Sequence, residues 1–267
     1  MDALPLSDQE FQLFQRFVYD TAGIHLNASK KALVSGRLLK RVKHHHLTSF
    51  GDYFKLLQNH DAAQERQTAM DLLTTNETYF FRESKHFDFL SNTVLAAHPK
   101  GRLFRVWSAA CSSGEEPYTL AMVLHDRLGD GPWEVIGSDI STQVLERARR
   151  AHYPLERGRD IPQRFLEKYC LKGVGAQAGT FMVDKTLRAR VQFMHINLKA
   201  PPKLGEFDVI FLRNVMIYFD VPMKQMVVTR LAAALKSGGR LIIGHSESLN
   251  GVSDALINDA PTIYRRR

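Results

Sequence analysis

The residues best placed to do chemistry gather around a run of small side chains, Ser108-Ala109-Ala110-Cys111-Ser112-Ser113-Gly114, which leads into Glu115-Glu116-Pro117. Small side chains let a ligand come close to the backbone, but one glycine does not make the G-x-G-x-x-G turn that cradles a pyrophosphate. Two carboxylates at the start of a helix repel the phosphate that such a terminus would otherwise attract, and favour a cation. The turn therefore reads as a seat for a positively charged nucleoside without pyrophosphate. The alternative for Ser113-x-x-Glu116 is a plain capping box.

Asp139 ends the next strand-like segment, where an acidic side chain takes ribose hydroxyls in nucleotide-binding α/β folds. Its alternative role is an N-cap, for which Ser141 is an equal candidate. S-adenosylmethionine, with a ribose, an ammonium group and a sulfonium centre, has the chemistry these positions ask for. No Ser/His/Asp or Cys/His arrangement stands out. Cys111 and Cys170 are the only cysteines and have no metal-ligand spacing, so neither a disulfide framework nor a metal is expected. His44-His45-His46 reads as the exposed end of a basic helix, and His245, beside Ser246 and Glu247, as a solvated loop histidine.

Two kinds of element must position these residues. From Ser7 to about Thr74 the pattern is helical, beginning with the capping box Ser7-x-x-Glu10 ahead of Phe11, Phe14, Phe17 and Val18, with Gly23 as a helix end. Leu33, Leu38, Leu39 and Val42 face inward on the next helix, and further helices carry Phe50, Tyr53, Phe54, Leu57 and then Met70, Leu72, Leu73. After about residue 84 strands alternate with helices, which predicts an open, largely parallel sheet. Strands are expected at Leu103–Ala109, Trp133–Ser138, Val191–Ile196, Phe207–Leu212, Arg240–Gly244 and Thr262–Arg266. Helices are expected at Glu115–Leu128, Thr142–Ala151 and Pro222–Lys236, the last closed by a left-handed Gly238. Between Tyr153 and Arg190 the rhythm breaks into a short helix near Gln163–Cys170, a turn at Gly173-Val174-Gly175 and an extended Thr180–Asp184, an inserted hairpin. No segment reaches the roughly 18 apolar residues of a membrane span, and Met1–Glu10 lacks the order of a signal peptide, so a cytoplasmic protein is expected. The net charge of +8 points to an acidic partner. Lys30, Lys31, Arg37, Lys40, Arg41 and Lys43 concentrate it in one stretch without Asp or Glu.

Five blocks carry a resemblance. They are Thr74-Thr-Asn-Glu-Thr-Tyr-Phe-Phe-Arg-Glu83, Trp107-Ser-Ala-Ala-Cys-Ser-Ser-Gly-Glu-Glu-Pro-Tyr118, Gly137-Ser-Asp-Ile-Ser141, Phe207-Asp-Val-Ile-Phe-Leu-Arg-Asn-Val-Met-Ile-Tyr-Phe-Asp220 and Gly244-His-Ser-Glu-Ser-Leu249. In order and spacing they resemble the CheR-type chemotaxis receptor methyltransferases over nearly the whole chain. The resemblance implies a helical domain at residues 1–75 that docks on a receptor. Residues 76–267 would form a Rossmann-like α/β methyltransferase domain with an antiparallel last strand and a small antiparallel β-subdomain inserted at about 155–195. It implies cofactor contacts at Asn76, Thr78, Arg82, Glu116, Asp139, Asn197, Leu198, Arg213 and Asn214. Leu212, where a cysteine is common, and Ser113, where threonine is frequent, depart from the pattern without removing a charge.

The activity implied is methyl transfer from S-adenosylmethionine to glutamate side chains of a bacterial chemoreceptor during adaptation, leaving S-adenosylhomocysteine. A carboxylate with an ordinary pKa of about 4.3 is already ionised at neutral pH, so no general base is needed. Arg82 would orient the incoming carboxylate and Tyr218 would hydrogen-bond near the reacting groups; their bland alternatives are a surface arginine and packing against Phe219. Arg37, Lys40 and Arg41 are the expected receptor-docking residues. The inserted subdomain would capture a receptor tail peptide by edge-strand pairing. A nucleic-acid methyltransferase would instead show Asn/Asp-Pro-Pro-aromatic after the fourth strand, where this chain has Arg213-Asn214-Val215-Met216; neither nucleic acid nor membrane insertion is expected. The remaining rival is a silent adaptor that keeps the fold and only binds.

Overall fold

A computed structural model describes residues 4–267; the first three residues of the expected helical domain lie outside the described residues. The N-terminal part is α1 (Asp8–Ala22), α2 (Lys31–His44), α3 (Phe50–Gln58) and α4 (Ala63–Leu73). Helix α1 starts where expected, because Ser7 and Glu10 form the reciprocal capping box, and it stops at Gly23, whose amide still donates to the Tyr19 carbonyl and whose left-handed φ of 71° turns the chain out of the helix. Phe11, Phe14 and Val18 are buried with Val34, Leu38 and Val42 of α2, Phe50, Tyr53 and Leu57 of α3, and Met70 and Leu73 of α4. Phe17, Leu33, Leu39, Phe54 and Leu72, expected inside, are only half-buried, because a bundle this small hides a narrower stripe of each helix than the apolar pattern offers.

A junction at residues 74–84 leads to α5 (Lys85–Phe89) and then to a seven-stranded sheet, ordered β6-β2-β1-β7-β8-β10-β9. The strands are β1 (Phe104–Ala109), β2 (Trp133–Asp139), β6 (Val191–His195), β7 (Phe207–Leu212), β8 (Leu235–Ile243), β9 (Leu256–Ala260) and β10 (Ile263–Arg266). The first five are parallel, and β10 runs antiparallel between β8 and β9. Helices α6 (Glu115–Leu128), α7 (Thr142–Arg150) and α10 (Val221–Ala233) accompany the sheet, whose two apolar faces form separate cores. Between β2 and β6 the insertion holds β3 (His152–Pro154), α8 (Gln163–Tyr169), β4 (Cys170–Lys172), β5 (Thr180–Val183) and α9 (Lys185–Arg188), with β3-β5-β4 as a small antiparallel sheet.

Two expectations are corrected. The last long helix ends at Ala233, and Lys236 and Gly238 belong to β8, whose register against β7 shifts between Phe207 and Val209; Gly238 takes its left-handed φ of 75° in that irregular strand start and not as a helix cap. Strand β9 was not expected at all, since its Leu256–Ala260 segment is short, polar and at the sheet edge. Among the described residues no helix is long and apolar enough to cross a membrane.

The helical part is tied to the sheet part by polar contacts. Asp71 of α4 accepts from the amides of Thr142 (2.9 Å) and Gln143 (3.3 Å), capping α7 from across the boundary, and Asn197 Nδ2 donates to the Thr21 carbonyl at 2.6 Å. Within the bundle, Glu65 accepts from Arg41 Nε (2.8 Å), Arg41 Nη2 (2.5 Å) and the Tyr53 hydroxyl (2.6 Å). Burial pushes the Glu65 carboxyl up, but Arg41, Tyr53 and His45 outweigh it and hold the pKa at about 2. A carboxyl whose pKa is depressed on folding stabilises above its ordinary value of 4.5, and that stabilisation is lost as pH falls toward 2. Glu65→Gln is expected to cost about 2 kcal/mol at neutral pH. In thermal melts the gap to wild type closes on acidification below pH 4.5.

Candidate functional site

In doubly wound sheets the ligand crevice lies beyond the carboxyl ends of the strands where the strand order reverses, here between β1 and β7. A cavity of about 1180 Å³, counted out to its open mouth, occupies that place and is walled on its other side by the helical part through Ala22, Ile24, Leu26, Lys30 and Leu33. Every expected cofactor position lines it: Asn76, Thr78 and Arg82 from the junction, Glu116 and Asp139 beyond β1 and β2, Asn197 and Leu198 beyond β6, Arg213 and Asn214 beyond β7. Tyr218 lines it as well.

Its walls are held in costly backbone. Ala110, Ser112 and Asn214 of the lining, and Phe81 and Glu83 on either side of Arg82, have left-handed φ between 50° and 68°, a region disfavoured for residues other than glycine and, less strongly, asparagine. Gly114 takes φ 95°, and a Cβ there would lie 2.8 Å from that of Ala148, so the turn after β1 is pressed against α7. Gly114 caps α6 without a side-chain bond, so the capping-box alternative for Ser113 and Glu116 is not realised.

The two carboxylates at the α6 start part company. Glu115 is fully buried and turns away from the cavity, accepting from Arg157 Nη2 of the insertion at 2.6 Å and from the Ser113 hydroxyl at 2.7 Å. Only Glu116 faces the cavity, so the expectation of a paired anionic seat is corrected to one carboxylate. That one is shared: Glu116 accepts from the Ser108 hydroxyl (2.6 Å) and from Arg213 Nε (2.8 Å). Arg213 also donates to the Arg82 carbonyl (2.7 Å) and to His86 Nδ1 (3.0 Å).

Asp139 is buried and accepts from the amides of Ser112 (2.8 Å) and Ser141 (2.9 Å), while Ser141 takes the N-cap of α7. Burial raises its pKa despite these bonds, and no cation pairs with it among the described residues. Each carboxylate oxygen keeps a lone pair, so the group suits the neutral donors of ribose hydroxyls. Cys111 also lines the cavity, but burial, then Asp139 and Glu116, hold its thiol well above the ordinary value, which removes it as a nucleophile at neutral pH. Arg82 is half-buried, donates to the Glu77 carbonyl at 3.0 Å and lies 5.6 Å over the Tyr79 ring.

The docking candidates are not gathered at the cavity. Lys40 is exposed, whereas Arg41 is committed to Glu65 and Arg37 donates to the Leu73 and Thr74 carbonyls at 3.1 and 2.9 Å. Sequence reasoning also missed the half-buried His45, which packs near Glu65 and is not part of an exposed histidine end, and the cavity residues Lys30 and Leu33. Behind the wall, Glu83, His86 and His245 bring ligand-type atoms within 4.8 Å. The Arg213 guanidinium occupies the His86 lone pair that a metal would need. Arginine only donates, so Nδ1 is unprotonated and Nε2–H donates to the Thr262 hydroxyl at 2.7 Å. Burial, then Arg213, push the His86 pKa down to about 4, with Glu83 pulling the other way. The neutral imidazole thus stabilises above its ordinary 6.5, and that contribution is lost as pH falls toward 4. Imidazole nitrogen shifts are expected to show His86 neutral, protonated on Nε2, down to about pH 5.

Comparison with known proteins places this geometry. A family model described as CheR methyltransferase, all-alpha domain, matches residues 9–74, and one described as CheR methyltransferase, SAM binding domain, matches residues 76–264. A chemotaxis protein methyltransferase of Klebsiella aerogenes is 41% identical over 267 residues, covering 98% of this chain and 90% of the relative. One of Escherichia coli is 40% identical over 269 residues, covering 98% and 92%. Chemotaxis protein methyltransferase 2 of Pseudomonas aeruginosa is 40% identical over 260 residues, covering 96% and 92%. The chain belongs to the CheR family of S-adenosylmethionine-dependent methyltransferases.

Proposed function

We propose that this chain esterifies glutamate side chains on the cytoplasmic helices of chemoreceptors, with residues 76–267 carrying out transfer and residues 1–75 docking the receptor. The observation that carries the reading is the cavity between the two parts, lined by Asn76, Thr78, Arg82, Glu116, Asp139, Asn197, Leu198, Arg213 and Asn214; the acceptor carboxylate is ionised at neutral pH and asks for no general base there. S-adenosylmethionine supplies a sulfonium methyl; the glutamate oxygen forms the new C–O bond, the C–S bond breaks, and its electron pair stays on sulfur with no proton moved. Asp139 receives the ribose hydroxyls, and Glu116, already neutralised by Arg213, holds its place beside the amino acid part. Because the step cancels two charges, water disfavours it, and the apolar wall of Ala22, Ile24, Leu26 and Leu33 excludes water. Arg82 orients the incoming carboxylate and Tyr218 holds the reacting groups in line.

The docking face is Lys40 and Lys43, both exposed on α2. Arg37 and Arg41 support it from within. Strand β4, an edge of the inserted sheet with Leu171 exposed on it and Val174 exposed just beyond it, captures a receptor tail peptide by strand addition.

Calorimetry with S-adenosylhomocysteine, followed by transfer of labelled methyl to receptor cytoplasmic domains with and without their tails, tests this reading. Absence of transfer to every domain would leave a silent adaptor. Arg82→Lys keeps the charge but loses the planar fork, and kcat is expected to fall roughly tenfold to a hundredfold, more than cofactor affinity does. Tyr218→Phe should cost less than about tenfold. The double variant Lys40→Glu/Lys43→Glu is expected to raise the KM for receptor while leaving S-adenosylhomocysteine affinity at the wild-type value.

A further inference from the structure

The segment after β8, Gly244-His245-Ser246-Glu247, stands behind the cavity without lining it. Glu247 is buried and folds back on the main chain. Its Oε2 accepts from the amides of Gly244 (2.7 Å) and Asn214 (2.9 Å), and its Oε1 accepts from the amide of Met216 (2.8 Å). Asn214 and Met216 lie past the end of β7 and Gly244 just past β8, where no strand ladder would satisfy them. No cation pairs with this carboxylate among the described residues, so the three amide dipoles alone balance it. The segments are pressed together, since a Cβ on Gly244 would lie 2.6 Å from Asn214 Nδ2 and 2.9 Å from Glu247 Oε2.

We propose that Glu247 is a positioning residue for cofactor binding, its carboxylate holding the Arg213–Tyr218 segment in the shape that forms the cavity wall. Asn214 sits at a left-handed φ of 59°, a conformation that asparagine tolerates better than other non-glycine residues but that still needs neighbours to hold it. Glu247 holds the amide of that residue itself and the amide two residues on, while Glu83 holds its side chain at 3.2 Å. The wall carrying Arg213, Asn214, Val215 and Tyr218 is thereby ordered before ligand arrives. Without the clamp, ordering would be taken out of the binding free energy, so affinity suffers while the chemical step does not. This inference rests on the reading that these residues hold S-adenosylmethionine.

Glu247→Gln keeps the shape but turns an NH2 toward a backbone N–H, so at most two of the three bonds survive. S-adenosylhomocysteine is expected to bind about tenfold more weakly, with the KM for S-adenosylmethionine raised in step and kcat at saturation within about twofold of wild type. Asp259→Asn, which weakens an ion pair to Arg240 on the far strands, should lower Tm without changing that affinity. Wild-type affinity in Glu247→Gln overturns the proposal; failure of the wild-type chain to bind S-adenosylhomocysteine overturns it together with the functional reading. Amide exchange in the wild-type chain gives a second test that needs no variant. The amides of Gly244, Asn214 and Met216 should already be protected without ligand, and protection that arises only on adding S-adenosylhomocysteine overturns the proposal.

Discussion

Arg213 is a cation almost wholly removed from water, its side chain 3% exposed, and the walls of the cavity are arranged around satisfying it. A buried charge without partners costs several kcal/mol, so its neighbours are fixed as firmly as it is. Glu116 brings in the start of α6, the Arg82 carbonyl the junction, and His86 the helix behind it, while Glu83 lies 3.8 Å away and the rings of Phe87 and Phe211 lie under the guanidinium. One side chain at the end of β7 thus joins segments that lie 97 to 131 residues away along the chain.

That hub explains where much of the backbone strain sits. Five of the eight left-handed non-glycine residues among those described, Phe81, Glu83, Ala110, Ser112 and Asn214, belong to the junction, the β1 turn and the β7 end, the three segments that meet at or beside Arg213; His46, Ala151 and Thr262 lie elsewhere. Strained turns persist only where surrounding contacts over-determine them. Here two carboxylates, the half-buried Glu83 and the buried Glu247, take much of that part: Glu83 accepts from Asn214 Nδ2 and the His245 amide, and Glu247 from three further amides. A rigid wall of this kind suits a reaction that needs alignment and exclusion of water and asks for no proton transfer.

The helical bundle contributes the fourth side of the cavity. Its apolar residues complete the enclosure, and its capping of α7 through Asp71 fixes the angle at which they do so. The inserted subdomain reaches the same turn from the opposite direction, through Arg157 to Glu115 and the Tyr153 hydroxyl to the Ser113 carbonyl. Both accessory parts therefore bear on the segment that would receive the cofactor.

By itself the sequence determined the alternation of elements, the insertion and the positions through which the sheet part and the junction line the cavity. Those depend on local periodicity, on small side chains in one turn and on blocks whose order is a property of the chain. It misplaced the α10–β8 boundary and passed over β9, where a register shift and an edge strand leave no clean pattern. Only the tertiary structure decided which charges are free. Glu115 and Glu116 are adjacent and chemically identical, yet one meets Arg157 and the other Arg213; Arg41 meets Glu65 while Lys40, next to it, meets solvent; and Glu247 turns inward while His245 stays out. Each of those choices rests on a partner distant in the chain, and spacing along a sequence carries no information about a bond whose other half is brought in by folding.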